Sequence, residues 1–232
     1  MSLAVPLQQS QVDAAMRLFK YLDNWNHVDN AVEMMRTHLP GLSTVEVLLK
    51  TVIVNSLFST NVYAVQKMAA HISATLSDVD IDTVGPELVE QIALFQAKEV
   101  GNPRRCHSFA SKFAHCFVNQ DRFLILDDFA EFAVRRHLGK QAQTGPENRY
   151  IAFSNNVDQL RLLARLNCSV ADLDKYLWLV GAWHRWETRK NKSDASKKKA
   201  GAAISSEVIR LFESTATSVR ADRDLMFGVA SE

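Results

Sequence analysis

Between Ser108 and Asp128 the chain reads "SFASKFAHCFVNQDRFLILDD", which sets one ammonium group, Lys112, among apolar and small residues. Such a lysine either carries its amine to solvent along its own helix or faces a cleft. In a cleft, burial beside Ala110, Ser111, Phe113 and Ala114 would favour the neutral amine, a nucleophile or base. Asp127 follows fifteen positions later, where an apolar run gives way to a new helical pattern. A carboxylate there caps orphan N–H groups and meets the positive end of the helix dipole. Pinned in that way it could also stabilise positive charge developing in a cleft. A third polar group stands at "NSLFSTNVYAV", where Asn55, Ser56, Ser59, Thr60 and Asn61 collect donors and acceptors at the end of an apolar helix. They can cap that helix, or present amides and hydroxyls to a base or phosphate. His107, His115 and Cys116 flank the lysine at spacings that fit no recognised metal site, so no metal is assigned.

The elements that must position these groups read as helices. The chain has 232 residues, 47% of them hydrophobic, with only 8 Gly and 5 Pro, and it is rich in helix-propagating residues. The spacing predicts helices over 11–22 and 29–37, and then a buried central helix that starts at Ser43 or Thr44 with Glu46 in its first turn. Further helices are expected at "VYAVQKMAAHISATL", at "ELVEQIALFQA" with Pro86 at its start, around Lys112, and after Asp127 up to Gly139. The later expected helices are "NVDQLRLLARL", "SVADLDKYLWLVGAWHRW" and "AISSEVIRLFEST", with a basic tract "RKNKSDASKKKAG" before the last. The segment "SDVDIDTVGP" reads as loop. The expectation is an all-α protein of two helical subdomains with a cleft between them: residues 42–120 as one, residues 1–41 and 121–232 as the other.

The 27 basic and 26 acidic residues leave a net charge of +1, so any nucleic-acid binding must use a local patch. Arg104 and Arg105, Arg135 and Arg136, and the stretch from Arg185 to Lys199 are candidates for such patches or for ordinary solvated faces. Phe109, Phe113, Trp178 and Trp183 could stack on a base, though their helical spacing suits a core. Cys106, Cys116 and Cys168 form no zinc spacing or disulfide framework, which suits a reducing compartment. No apolar run approaches a membrane span and no signal-peptide pattern opens the chain, so a cytoplasmic protein without membrane contact is expected.

Three stretches together resemble the helix-hairpin-helix DNA glycosylases, within them the lysine-bearing branch of the 8-oxoguanine glycosylases. "VIVNSLFSTNVYAVQKMAAHI" looks like the family's helix-turn-helix, with Ser59, Thr60 and Asn61 at the polar turn. "SFASKFAHC" falls on the hairpin and catalytic helix, and "RFLILDDFAEFAV" on the apolar run that ends in the catalytic aspartate. The late "LDKYLWLVGAW" is similar to a closing helix of related proteins, so the likeness covers much of residues 43–182. Ser108 and Ala110 stand where the family hairpin carries glycines, Leu124 stands where a proline is usual, and the four-cysteine tail of the endonuclease III branch is absent.

The resemblance implies Lys112 as nucleophile and Asp127 as its carboxylate. It implies contacts to DNA from Ser59, Thr60, Asn61, Arg104, Arg105, Ser108 and Ser111, and no cofactor. The implied activity is base-excision repair on double-stranded DNA: removal of an oxidised purine such as 8-oxoguanine through a lysine Schiff base, with AP lyase activity. Two other readings stay open, a glycosylase-fold protein that binds DNA without cutting and a helical protein–protein interaction module.

Overall fold

The computed structural model describes residues 2–77, 79–95, 105–145, 147–190 and 204–228. The protein is all-α, and among the described residues there is no strand. The helices are α1 (Gln9–Phe19), α2 (Asp23–His38), α3 (Thr44–Leu57), α4 (Val65–Leu76), α5 (Glu87–Ala93), α6 (His107–Phe117), α7 (Asp128–Leu138), α8 (Arg149–Ala164), α9 (Val170–Lys190), α10 (Ser206–Glu213) and α11 (Thr217–Phe227), with a 3₁₀ turn at Gly139–Gln141. None of them is long and apolar enough to cross a membrane.

The chain divides into two compact units. One comprises Val28–Asp127 and Gln143–Asp158; the other comprises Met1–His27, Asp128–Ala142 and Gln159–Glu232. The boundaries fall inside α2 and α8, so each of these helices contributes a segment to both units.

In the first unit α3 packs on α4 and α6, and α5 packs on α4 and α6. Val47, Val54, Met68, Ile72, Leu88, Ile92, Phe109 and Phe113 are wholly or almost wholly buried there. Ser43 caps α3: its hydroxyl accepts from the Glu46 amide, and the Glu46 carboxylate accepts from the Ser43 amide at 3.1 Å. This reciprocal pair satisfies two otherwise orphaned donors. The aspartate-rich connection after α4 is loop. Arg122 gathers it by donating to the carbonyls of Ile81 and Val84 at 3.0 Å each, and to that of Asp82.

In the second unit α9 is central, with α1 and α7 packed on it and α11 packed on α1. An edge-to-face cluster of Phe19, Trp25, Phe129 and Trp178 fills one region. A second cluster joins Trp183 to Phe212 and Phe227. Helix α11 was not expected from the sequence. It starts at Ala216 with no side-chain cap and fully buries only Val219 and Met226, so its apolar stripe is too thin to stand out. Helix α8 also begins seven residues before the expected "NVDQLRLLARL", because its amino terminus is capped from outside the helix.

His137, buried near the end of α7, fastens the amino-terminal segment to this unit. Its Nδ1 donates to the Val5 carbonyl at 2.9 Å, so Nε2 is left to accept from the Tyr176 hydroxyl at 3.1 Å. The amides of Ala4 and Val5 both donate to the His137 carbonyl. Burial holds the imidazole below the ordinary histidine range, against the pull of the Val5 carbonyl. Below about pH 6.5 the unfolded chain therefore takes up a proton that the folded chain refuses, and stability falls until the folded-state value is passed. The urea midpoint should drop between about pH 7 and about pH 5, and drop less in His137→Gln. An equal drop in both proteins would refute this role.

Candidate functional site

Helix α6 is buried on nearly every side; of its eleven residues only Ser108 is exposed. Lys112 is itself only 8% exposed. Helical side chains lean toward the amino terminus, which brings its Nζ back one turn to donate to the Ser108 Oγ at 2.7 Å. The amine thus sits at the rim where this helix surfaces. The Phe58 ring lies 5.9 Å from Nζ, within the range at which a ring face attracts a cation.

Phe58 immediately precedes the turn of Ser59, Thr60 and Asn61. Ser59 and Asn61 are exposed and both adopt left-handed backbone, with φ of 48° and 57°. Asn55 supports this conformation from the last turn of α3. Its Oδ1 accepts from the Thr60 hydroxyl at 2.9 Å and the Val62 amide at 2.8 Å, and its Nδ2 donates to the Val62 carbonyl at 3.0 Å. The asparagine amide replaces the backbone partners that the turn lacks.

The segment carrying Asp127 is sewn to α6 and α8. Ser111, fully buried, accepts the Leu126 amide on its Oγ at 3.0 Å and donates to the Ser108 carbonyl at 3.3 Å. His115 donates to the Phe123 carbonyl at 2.7 Å, and the Tyr150 hydroxyl donates to the Leu124 carbonyl at 3.0 Å. Asp127 is half-buried, next in sequence to the residue that Ser111 holds. The adjacent Asp128 is 71% exposed and lies 3.9 Å from Arg185.

The other candidates separate. Arg105 donates to the Glu147 carbonyl and stands 3.8 Å from Glu90, while Arg104 lies outside the described residues. Arg135 pairs with Glu131 at 2.8 Å. Arg185 lies over the Phe129 ring at 4.5 Å, and residues 191–199 of the basic tract lie outside the described residues. Phe109 and Phe113 are core residues, stacked on one another at 6.2 Å, and Trp178 belongs to the aromatic cluster around Phe19. His107 donates to Glu90 at 2.8 Å, and Cys116 is buried.

Lys50 is a second buried lysine that sequence reasoning passed over. It is 1% exposed, donates to the Gly41 carbonyl at 2.6 Å, and lies 5.4 Å from the Phe117 ring. Burial pushes its ammonium below the usual lysine range, against the pull of Glu46. The signal that singled out Lys112, a charge inside an apolar helix, was equally present in "VEVLLKTVIVNSL". Nothing in the sequence shows that this amine closes onto the loop before its own helix.

Residues 11–122 match the family model HI_0787_N, described as an N-terminal domain. The matched stretch runs from α1 through α6; it contains Lys112 and ends before Asp127. Comparison with curated proteins and with solved structures found no match.

Proposed function

We propose that the protein is a DNA glycosylase with AP lyase activity that removes an oxidised purine such as 8-oxoguanine. The observation that carries this reading is the setting of Lys112. A buried lysine holds its amine on the exposed Ser108 and near the Phe58 ring, on a helix hydrogen-bonded to the segment that ends in Asp127.

The reaction uses the neutral amine of Lys112 on a nucleotide flipped out of duplex DNA. The nitrogen attacks the anomeric carbon, and the glycosidic bond breaks with its electron pair leaving on the damaged base, which takes up a proton. Asp127 stabilises the positive charge that spreads over the sugar. Opening of the sugar ring gives a Schiff base, which acidifies the neighbouring C–H, and β-elimination then expels the 3′ phosphate and nicks the strand. The exposed Ser59, Asn61 and Ser108 are the polar groups at hand for phosphate or sugar contacts.

Borohydride reduction in the presence of duplex DNA containing 8-oxoguanine or an abasic site tests the proposal. A covalent protein–DNA adduct should form with the native protein and with Lys50→Met, and should be lost in Lys112→Ala. An adduct that survives Lys112→Ala, or no adduct with the native protein, overturns it. Salt-sensitive DNA binding without an adduct would instead identify a non-catalytic DNA-binding protein.

A further inference from the structure

Helix α3 turns polar residues inward and apolar ones outward. Lys50 and Thr51 are buried, whereas Val45, Leu49 and Val52 are 68%, 44% and 46% exposed. Val45, Leu49, Val52 and the exposed Ser56 follow one another at intervals of four, three and four residues, which places them in one stripe along the helix. The half-buried Leu48 and Ile53 widen this stripe on either side. It carries no charge. The charged residues of α3 are Lys50, which is buried, and Glu46, whose carboxylate accepts from the Gly41 and Ser43 amides.

Single apolar residues on a surface are ordinary, but a contiguous uncharged stripe of them marks a contact surface. Alternating intervals of three and four residues are those of a seam between two helices. From the fractional exposures, the stripe offers about 500 Å² on one chain; two copies face to face would cover about 1,000 Å², the lower end for a specific interface. An uncharged stripe meets its own copy without like-charge repulsion, and the net charge of +1 leaves the chains little long-range repulsion.

We propose that the outer face of α3 is the contact surface for a second copy of this chain, with the two α3 helices packed antiparallel about a two-fold axis midway between positions 50 and 51. In this register Leu49 meets Val52 of the partner subunit, and Val45 meets the small Ser56 of the partner subunit. Antiparallel packing sets the helix dipoles against each other and holds the Glu46 carboxylates, in the first turn of each α3, at opposite ends of the seam. A parallel pairing would bring them together. The inference does not depend on the glycosylase reading.

Sedimentation equilibrium of the full chain, from about 1 μM to about 200 μM, tests the proposal; a reversible monomer–dimer equilibrium with a Kd on the order of 10 μM is expected for an interface of this size. Leu49→Glu and Val52→Lys, each at an exposed position, set a charge against an apolar side chain of the partner and should each weaken the dimer about thirtyfold. An equimolar mixture of the two variants should dimerise again, because the antiparallel register sets the introduced carboxylate against the introduced ammonium. Circular dichroism identical to the native spectrum would show that both variants are folded. The proposal is overturned if the native chain stays monomeric over this range, if Leu49→Glu dimerises as the native chain does, or if the mixture stays monomeric.

Discussion

Gly181→Ala should destabilise the protein by about 3 kcal/mol, and by more if α7 cannot shift. In isolation the change favours the folded state, because glycine inside a helix costs roughly 0.5–1 kcal/mol relative to alanine. Packing reverses the sign. Gly181 lies within α9, where the backbone of α7 crosses it; a Cβ there would stand 2.3 Å from the Phe129 carbonyl oxygen and 2.5 Å from its Cα. Those atoms belong to the first turn of a helix, so they cannot swing aside as the end of a flexible side chain can. The added methyl group must push α7 off α9, disturbing the edge-to-face packing of Phe129 on Trp178 at 5.7 Å. At roughly 2–4 °C per kcal/mol for a chain of this size, the thermal midpoint should fall by about 6–12 °C. A midpoint equal to or above the native value in a melt followed at 222 nm would rule out this tight crossing.

The second large effect is expected at Glu90, whose carboxylate on α5 does the work of an N-cap for α8. Its Oε1 accepts from the Tyr150 amide at 2.6 Å and the Ile151 amide at 3.3 Å, two donors in the first turn that have no partner within their own helix. Its Oε2 takes the His107 Nε2 at 2.8 Å, with Arg105 at 3.8 Å. One carboxylate thereby joins α5, α6 and α8, at a helix end where negative charge is favoured. Glu90→Ala strands the Tyr150 amide and the His107 ring, both buried, and should cost about 3 kcal/mol. Glu90→Gln keeps an acceptor for the Tyr150 amide and should cost about half as much. Urea midpoints in the order native, glutamine, alanine are expected, with faster exchange of the Tyr150 and Ile151 amides in the alanine variant. Midpoints that do not separate the three proteins would remove Glu90 from this role.

These two positions show where reading along the chain stops. The helical class followed from composition and spacing, and so did a cap for α3 at Ser43 or Thr44; the structure selects Ser43, paired with Glu46 three residues on. The start of α8 could not be read in the same way: its cap comes from residue 90, some sixty positions away, and nothing near Arg149 announces it. Gly181 in "LWLVGAWHRW" looks like an ordinary weak point of a helix until α7 is laid across it.

The candidate site divides along the same line. Lys112 stood out in sequence because a charge in an apolar helix is a local anomaly, and Asp127 stood out because helix starts favour carboxylates. The bond from Ser111 to Leu126 that draws their segments together spans fifteen residues, and the commitment of Arg105 to Glu147 spans forty-two. By itself the sequence determined the helical class, the position of the helices other than α11, and which residue types are available for chemistry. All of these depend on neighbours within about one helical turn. Tertiary structure alone decided which of two buried lysines hydrogen-bonds an exposed residue of its own helix and which carboxylate caps a distant helix. Those outcomes rest on contacts between residues far apart in the chain, and such contacts form only when the helices pack.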